Sequence, residues 1–96
     1  MRASVHVRLE KLSQCEGFHE LCKALKLEAR GKYGETDRQQ TGTYDISNSE
    51  RLGKSEVHLI NHMVNGVSKL IEFEKALENG EDVDCTAIAM DLSKDR

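Results

Sequence analysis

The chain has no tryptophan, no proline and only four aromatic residues among its 96. Two Phe and two Tyr supply little bulk for a core, yet a chain this short must bury roughly two-thirds of its extended surface to be stable. It is one domain or, on this thin apolar material, a piece of a larger one. Average usage would give about five prolines; nothing in the reading of the fold turns on their absence. No apolar run approaches the roughly 18 residues of a membrane span, and 32% of the residues are charged. The start, Met1-Arg2-Ala3-Ser4, lacks the apolar stretch of a signal peptide. Three cysteines, Cys15, Cys22 and Cys85, make an odd count at wide spacing. That argues against a disulfide framework and for a reducing compartment, so the cytoplasm is the expected location. Charge of one sign is lacking too. Residues 1–54 carry ten Lys/Arg against eight Asp/Glu, and residues 55–96 carry four against nine. Bulk nucleic-acid binding, which needs a basic face, is excluded, while a local anion site in the first half stays open.

What is present has a readable order. Ala3, Val5, Val7 and Leu9 alternate with Ser4, His6 and Arg8, the period-two pattern of a half-buried strand over 3–9. Ser13-Gln14-Cys15-Glu16 has the form of a capping box, opening an expected helix over 14–25 with Phe18, Leu21, Cys22 and Leu25 on one stripe. Residues 26–30 read as a short strand. Residues 31–42, with three glycines and no aliphatic side chain, read as a mobile loop, and 43–47 as a third strand. Over 54–79, Val57, Ile60, Met63, Val64, Val67, Leu70, Ile71 and Leu77 trace one helical face. Ser55 is its expected N-cap, and Asn79-Gly80 its stop. Residues 81–96 are acidic and without apolar period, an expected flexible tail. The expected class is α+β, in the order β-α-β-loop-β-α.

Two stretches can carry chemistry. Arg2, Ser4, His6 and Arg8 project from the first strand opposite its apolar side; arginine there can fork onto phosphate, and histidine can stack on a base. A solvated strand face accounts for the same residues. Arg30-Gly31-Lys32-Tyr33-Gly34-Glu35 sets cations beside glycines, which let backbone amides approach an anion closely; an ordinary flexible connection accounts for it equally. His58 and His62 stand at metal-ligand spacing without a third ligand signalled, and Met63 and Cys22 read as core. The acidic run of Glu72, Glu74, Glu78, Glu81, Asp82 and Asp84 reads as a solvated face and tail. No Ser-His-Asp, Cys-His or paired-carboxylate arrangement is indicated.

Taken in order and spacing, Arg2-Ala3-Ser4-Val5-His6-Val7-Arg8-Leu9, then Lys11-Leu12, Arg30-Gly31 with Gly34-Glu35, Tyr44-Asp45-Ile46-Ser47-Asn48, Arg51-Leu52-Gly53 and Ser55-Glu56-Val57 resemble the ATP:guanido phosphotransferases, or phosphagen kinases. The resemblance covers roughly Arg2 to Gly80 and is to the C-terminal part of the catalytic domain, an antiparallel sheet flanked by helices, so the chain divides into 1–80 and the tail 81–96. It implies transfer of the γ-phosphoryl of ATP, with Mg2+ held by the nucleotide phosphates, to a guanidino substrate. Arg2 and Arg30 match arginines that clamp the phosphates, His6 the histidine beside the adenine, with Ala3, Ser4 and Val5 between. Arg30, Gly31, Lys32, Tyr33, Gly34 and Glu35 match a nucleotide-contacting segment, and Asp45 an aspartate near the nucleotide. Glu35 matches the loop glutamate that faces the guanidinium in arginine-kinase-like members, favouring an arginine-type acceptor. The family's N-terminal domain and catalytic carboxylate lie before the equivalent of Arg2, so no catalytic residue is assigned, the 96 residues alone are expected to be inactive, and the rest of a kinase chain is the expected partner. Two other readings remain: a nucleotide-binding fragment without turnover, and a helical partner-binding module using the face of 54–79.

Overall fold

A computed structural model describes residues 3–33, 40–50, 53 and 55–94. The elements are β1 (Val5–Arg8), a 3-10 turn (Leu12–Gln14), α1 (Phe18–Ala24), β2 (Leu27–Tyr33), β3 (Gln40–Asn48), α2 (Glu56–Glu78) and α3 (Cys85–Lys94). The class is α+β, with a three-stranded antiparallel sheet in the order β1-β3-β2. Alternation is the reason β1 is a strand: Val5 and Val7 are half-buried while His6 and Arg8 are exposed. Pairing continues a residue further, because Leu9 N donates to Gly42 O at 2.8 Å.

The core lies on one side of the sheet. Leu9, Leu12, Phe18, Leu21, Ile46, Leu70 and Cys85 are fully enclosed, and the rings of Phe18 and Tyr44 tilt against each other at 5.4 Å. Gly66 lets α2 come close to the sheet: a Cβ there would sit 2.8 Å from Leu27 Cδ1. Ser55 caps α2, its Oγ accepting from His58 N at 3.4 Å, and Gly80 at φ 83° follows its end.

Four expectations need correction. The helix expected over 14–25 does not begin at 14. Leu12, fully buried, pulls the chain inward into a 3-10 turn, and Ser13 Oγ contacts Glu10 O at 3.4 Å in place of a capping box. Gly17, at φ 90°, then redirects the backbone so that α1 starts at Phe18. The loop expected over 31–42 is shorter, because β2 runs through Tyr33 and β3 resumes at Gln40. On α2 the expected apolar face is only partly covered: Met63, Val67 and Leu70 are buried, while Val57, Ile60 and Val64 are exposed. The buried residues of α2 begin at Met63, and its first turn meets the sheet through a polar contact, Asn48 Nδ2 of β3 donating to Leu59 O at 2.8 Å.

The fourth correction is the tail. Residues 85–94 form α3, which packs on α1 through the buried Cys85 and Ala89. Asp84 starts it, accepting at Oδ1 from Ala87 N at 3.0 Å. Gly17 makes room for it: a Cβ there would fall 2.7 Å from Thr86 N. Among the described residues no helix is long and apolar enough to cross a membrane.

Candidate functional site

Because side chains alternate along a strand, the sheet face away from the core collects polar residues from all three strands. The register sets His6 of β1 opposite Asp45 of β3, and Asp45 opposite Arg30 of β2. A cross-strand row results, His6–Asp45–Arg30, with Arg8, Thr43, Ser47, Glu28 and Lys32 around it. Residues far apart in the chain meet here only because β3 is the central strand.

Asp45 is the hub. Its Oδ1 contacts His6 Nδ1 and lies 3.7 Å from Lys32 Nζ. It is the most shielded of the three, its side chain 32% exposed against 60% for His6 and 46% for Lys32. A carboxylate set between an imidazole and an ammonium holds both in place, and it orients the histidine ring by engaging one nitrogen. Arg30 is turned along its own strand, with Nε and Nη2 donating to Glu28 Oε1 at 3.3 and 3.2 Å. That pair is exposed and of the kind worth roughly 0–1 kcal/mol, so a stronger anion can draw Arg30 away. Arg8 is similarly paired, with Glu10 at 2.8 Å.

The structure thus brings together His6, Arg30, Lys32 and Asp45. Ala3 and Ser4 are exposed just before β1. Val5 is different: its side chain packs against the core, on the opposite side from His6, so that only its backbone borders the polar face. Gly31 pairs with Tyr44 and Tyr33 with Gln40, with an irregularity between them. Arg2, Gly34 and Glu35 lie outside the described residues. Among the described residues no group of three or more His, Cys, Asp or Glu is placed to hold a metal ion.

Two residues were not singled out from the sequence. Glu28 holds Arg30, and the i, i+2 spacing of a strand was the available signal. Glu74, grouped with a solvated run, is buried at 6% exposure. It accepts from Leu12 N at 2.8 Å and from Lys11 N at 3.1 and 3.2 Å, fixing the turn that follows β1.

The profile of one protein family, described as ATP:guanido phosphotransferase, C-terminal catalytic domain, matches residues 1–77. Arginine kinase of Stichopus japonicus is 45% identical over 84 residues, which is 88% of this chain and 23% of that protein. The flagellar creatine kinase of Strongylocentrotus purpuratus is 46% identical over 83 residues, 86% of this chain and 7% of that protein. A crystal structure of lombricine kinase superposes with a TM-score of 0.72 at 45% identity, covering 86% of this chain and 23% of that one. The chain therefore spans less than a quarter of the length of these relatives. Identity is nearly equal to three kinases named for different guanidino compounds.

Proposed function

The chain belongs to the ATP:guanido phosphotransferase family, as C-terminal catalytic domain, and from that premise we propose that its polar sheet face binds ATP in a kinase that phosphorylates a guanidino nitrogen. The observation that supports this most is the row His6–Asp45–Arg30 with Lys32 at its edge. Phosphoryl transfer asks a protein chiefly for positioning and for neutralising charge, and this face offers cations on short, paired strands. Arg30 leaves Glu28 for a phosphate oxygen, exchanging a solvent-exposed pair for a charge-assisted fork. Lys32 adds a point charge nearby. Asp45 holds His6 so that its ring lies along the adenine. Cations around a single carboxylate suit phosphate oxygens better than a bare divalent ion, so Mg2+ fits as a passenger on the nucleotide, where it supplies further charge neutralisation.

Glu35, in the same reading, faces the cationic end of the acceptor and favours an arginine-type guanidinium. No described side chain is assigned the role of catalytic base, so this chain alone binds nucleotide without turnover. Titration calorimetry with MgADP tests the reading. Binding to the 96-residue chain is expected, weakened about tenfold or more by Arg30→Ala, since a charge-assisted contact is worth roughly 1.5–3 kcal/mol. Equal affinity for wild type and variant would overturn the assignment of Arg30. Robust phosphoryl transfer by the isolated chain would overturn its inactivity. A second reading, a helical module that binds a partner, is favoured by one observation, the exposure of Val57, Ile60 and Val64 on α2.

A further inference from the structure

Glu74 is the one buried charged side chain among the described residues. A buried carboxylate is costly unless it is hydrogen-bonded, and its partners are the two amides that follow β1, Leu12 N at 2.8 Å and Lys11 N at 3.1 and 3.2 Å. The clamp therefore closes five residues beyond His6. β1 is an edge strand of four residues, paired with β3 on one side. Arg30, Lys32 and Asp45 belong to β2 and β3, which pair with each other, so in the polar row His6 alone depends on how β1 is seated. Helix α2 packs on the core side of the sheet through Met63, Val67 and Leu70, whereas His6 points to the other side. Glu74 thus cannot touch a ligand on the polar face and acts there only through β1.

We propose that Glu74 is a positioning residue for His6: by clamping the amides of Lys11 and Leu12 it seats β1 so that the His6 ring meets Asp45 and lies where a base can stack. The role toward a base rests on the ATP reading above; the placing of the ring does not. Without the clamp, the 3-10 turn loses its tie to α2. The ladder to β3 and the bond from Leu9 N to Gly42 O at 2.8 Å remain, and a short edge strand held on one side opens locally before the rest of the sheet. The His6–Asp45 contact goes with it. Arg30 and Lys32 stay, because the β2–β3 pairing does not pass through the turn. The effect is selective: the nucleoside end of the ligand loses its ring contact, and the phosphate end keeps these cations. Glutamine at position 74 replaces one acceptor oxygen by a donor, so Lys11 N loses a partner while Leu12 N keeps one.

The test uses the 96-residue chain with its four histidines labelled with nitrogen-15. Magnetic resonance spectra are taken at one fixed pH, with Asp45→Asn as the reference for a His6 ring released from its carboxylate. In Glu74→Gln the His6 Nδ1 signal should move toward its Asp45→Asn position, and further in Glu74→Ala, while His58 and His62 stay in place. A loss of stability alone leaves the spectrum of the folded protein unmoved. Calorimetry then measures MgADP. Glu74→Gln should bind about fivefold more weakly, the scale of a base stacked on an aromatic ring, and Glu74→Gln/His6→Ala should bind no more weakly than His6→Ala. An unmoved His6 signal in the folded Gln variant would overturn the proposal, as would an equal loss of affinity in both backgrounds. Absence of MgADP binding by the wild type would overturn the ATP reading, and the ring signals would still decide by themselves whether Glu74 places His6.

Discussion

Replacing Glu74 tests how the turn behind β1 is held. Its carboxylate is nearly enclosed and accepts from two backbone amides, Leu12 N at 2.8 Å and Lys11 N at 3.1 and 3.2 Å. In Glu74→Ala both donors lose their acceptor. An orphaned buried donor costs about 1–3 kcal/mol; Leu12 N is fully buried and Lys11 N only partly, so a total of about 3 kcal/mol is expected. Glu74→Gln keeps one carbonyl oxygen for Leu12 N and loses the charge, at about half that cost. With a urea slope of roughly 1 kcal/mol per molar for a domain of this size, the midpoint should fall by about 3 M in the Ala variant and about 1.5 M in the Gln variant. Urea unfolding followed by circular dichroism measures both. Glu72→Ala, two positions away and exposed, should stay within about 0.5 kcal/mol of wild type. An Ala variant as stable as the Glu72 control would show that Glu74 does not hold the turn. The Gln variant keeps the test readable should the Ala variant not fold.

Stability should also decline in alkali. Cys22 and Cys85 have folded values of about 12 and about 11 against an ordinary 9.0, raised first by burial, then by Cys85 beside Cys22 and by Cys15 and Asp84 beside Cys85. The folded state holds these protons after the unfolded chain has released them, so the contribution is complete below about pH 9 and is lost as pH rises through 11 and 12. Urea midpoints at about pH 8 and about pH 10.5 should differ in wild type and converge in Cys22→Ala/Cys85→Ala; a parallel fall in both proteins would refute the assignment. If Glu35 faces the acceptor of a longer kinase chain as proposed above, Glu35→Val in that longer protein should lower kcat/KM for the guanidino acceptor while leaving the KM for ATP near its original value, because the contact that reading assigns is on the acceptor side. Unchanged acceptor kinetics would remove the basis for an arginine-type acceptor.

How much was legible in the sequence depended on the range of the interaction. The strand at Val5–Arg8 and the helix over Glu56–Glu78 are written in local periods, and Ser55 marks the start of the helix through an amide three residues on. Strand alternation likewise foretold that His6 and Arg8 share a face. It did not tell which carboxylate His6 would meet, since that is set by register with a strand almost forty residues later. Glu74 was misread for the same reason: its neighbours Glu72 and Glu78 are exposed, and the amides it serves lie 62 and 63 residues away. Helix α3 escaped because Cys85 and Ala89 are weak apolar signals among Asp82, Asp84 and Asp91. Their burial depends on a gap at Gly17 that only the folded chain reveals.

The central place of β3 also sets an order of assembly. Its pairing with β2 at Tyr33–Gln40 closes a separation of seven residues, whereas its pairing with β1 at Val7–Tyr44 closes thirty-seven. By the logarithmic growth of closure entropy the longer loop costs about 1.5 kcal/mol more, and β1 has four residues with which to recover it. The hairpin β2–β3 is therefore the natural nucleus, and β1 the last strand to join and the first to fray. Arg30, Lys32 and Asp45 are in place once the hairpin stands; His6 arrives only with β1. Amide exchange should then rank β1 below the hairpin in protection, and the loss of the His6–Asp45 contact should precede global unfolding, so that the last strand to dock completes the row.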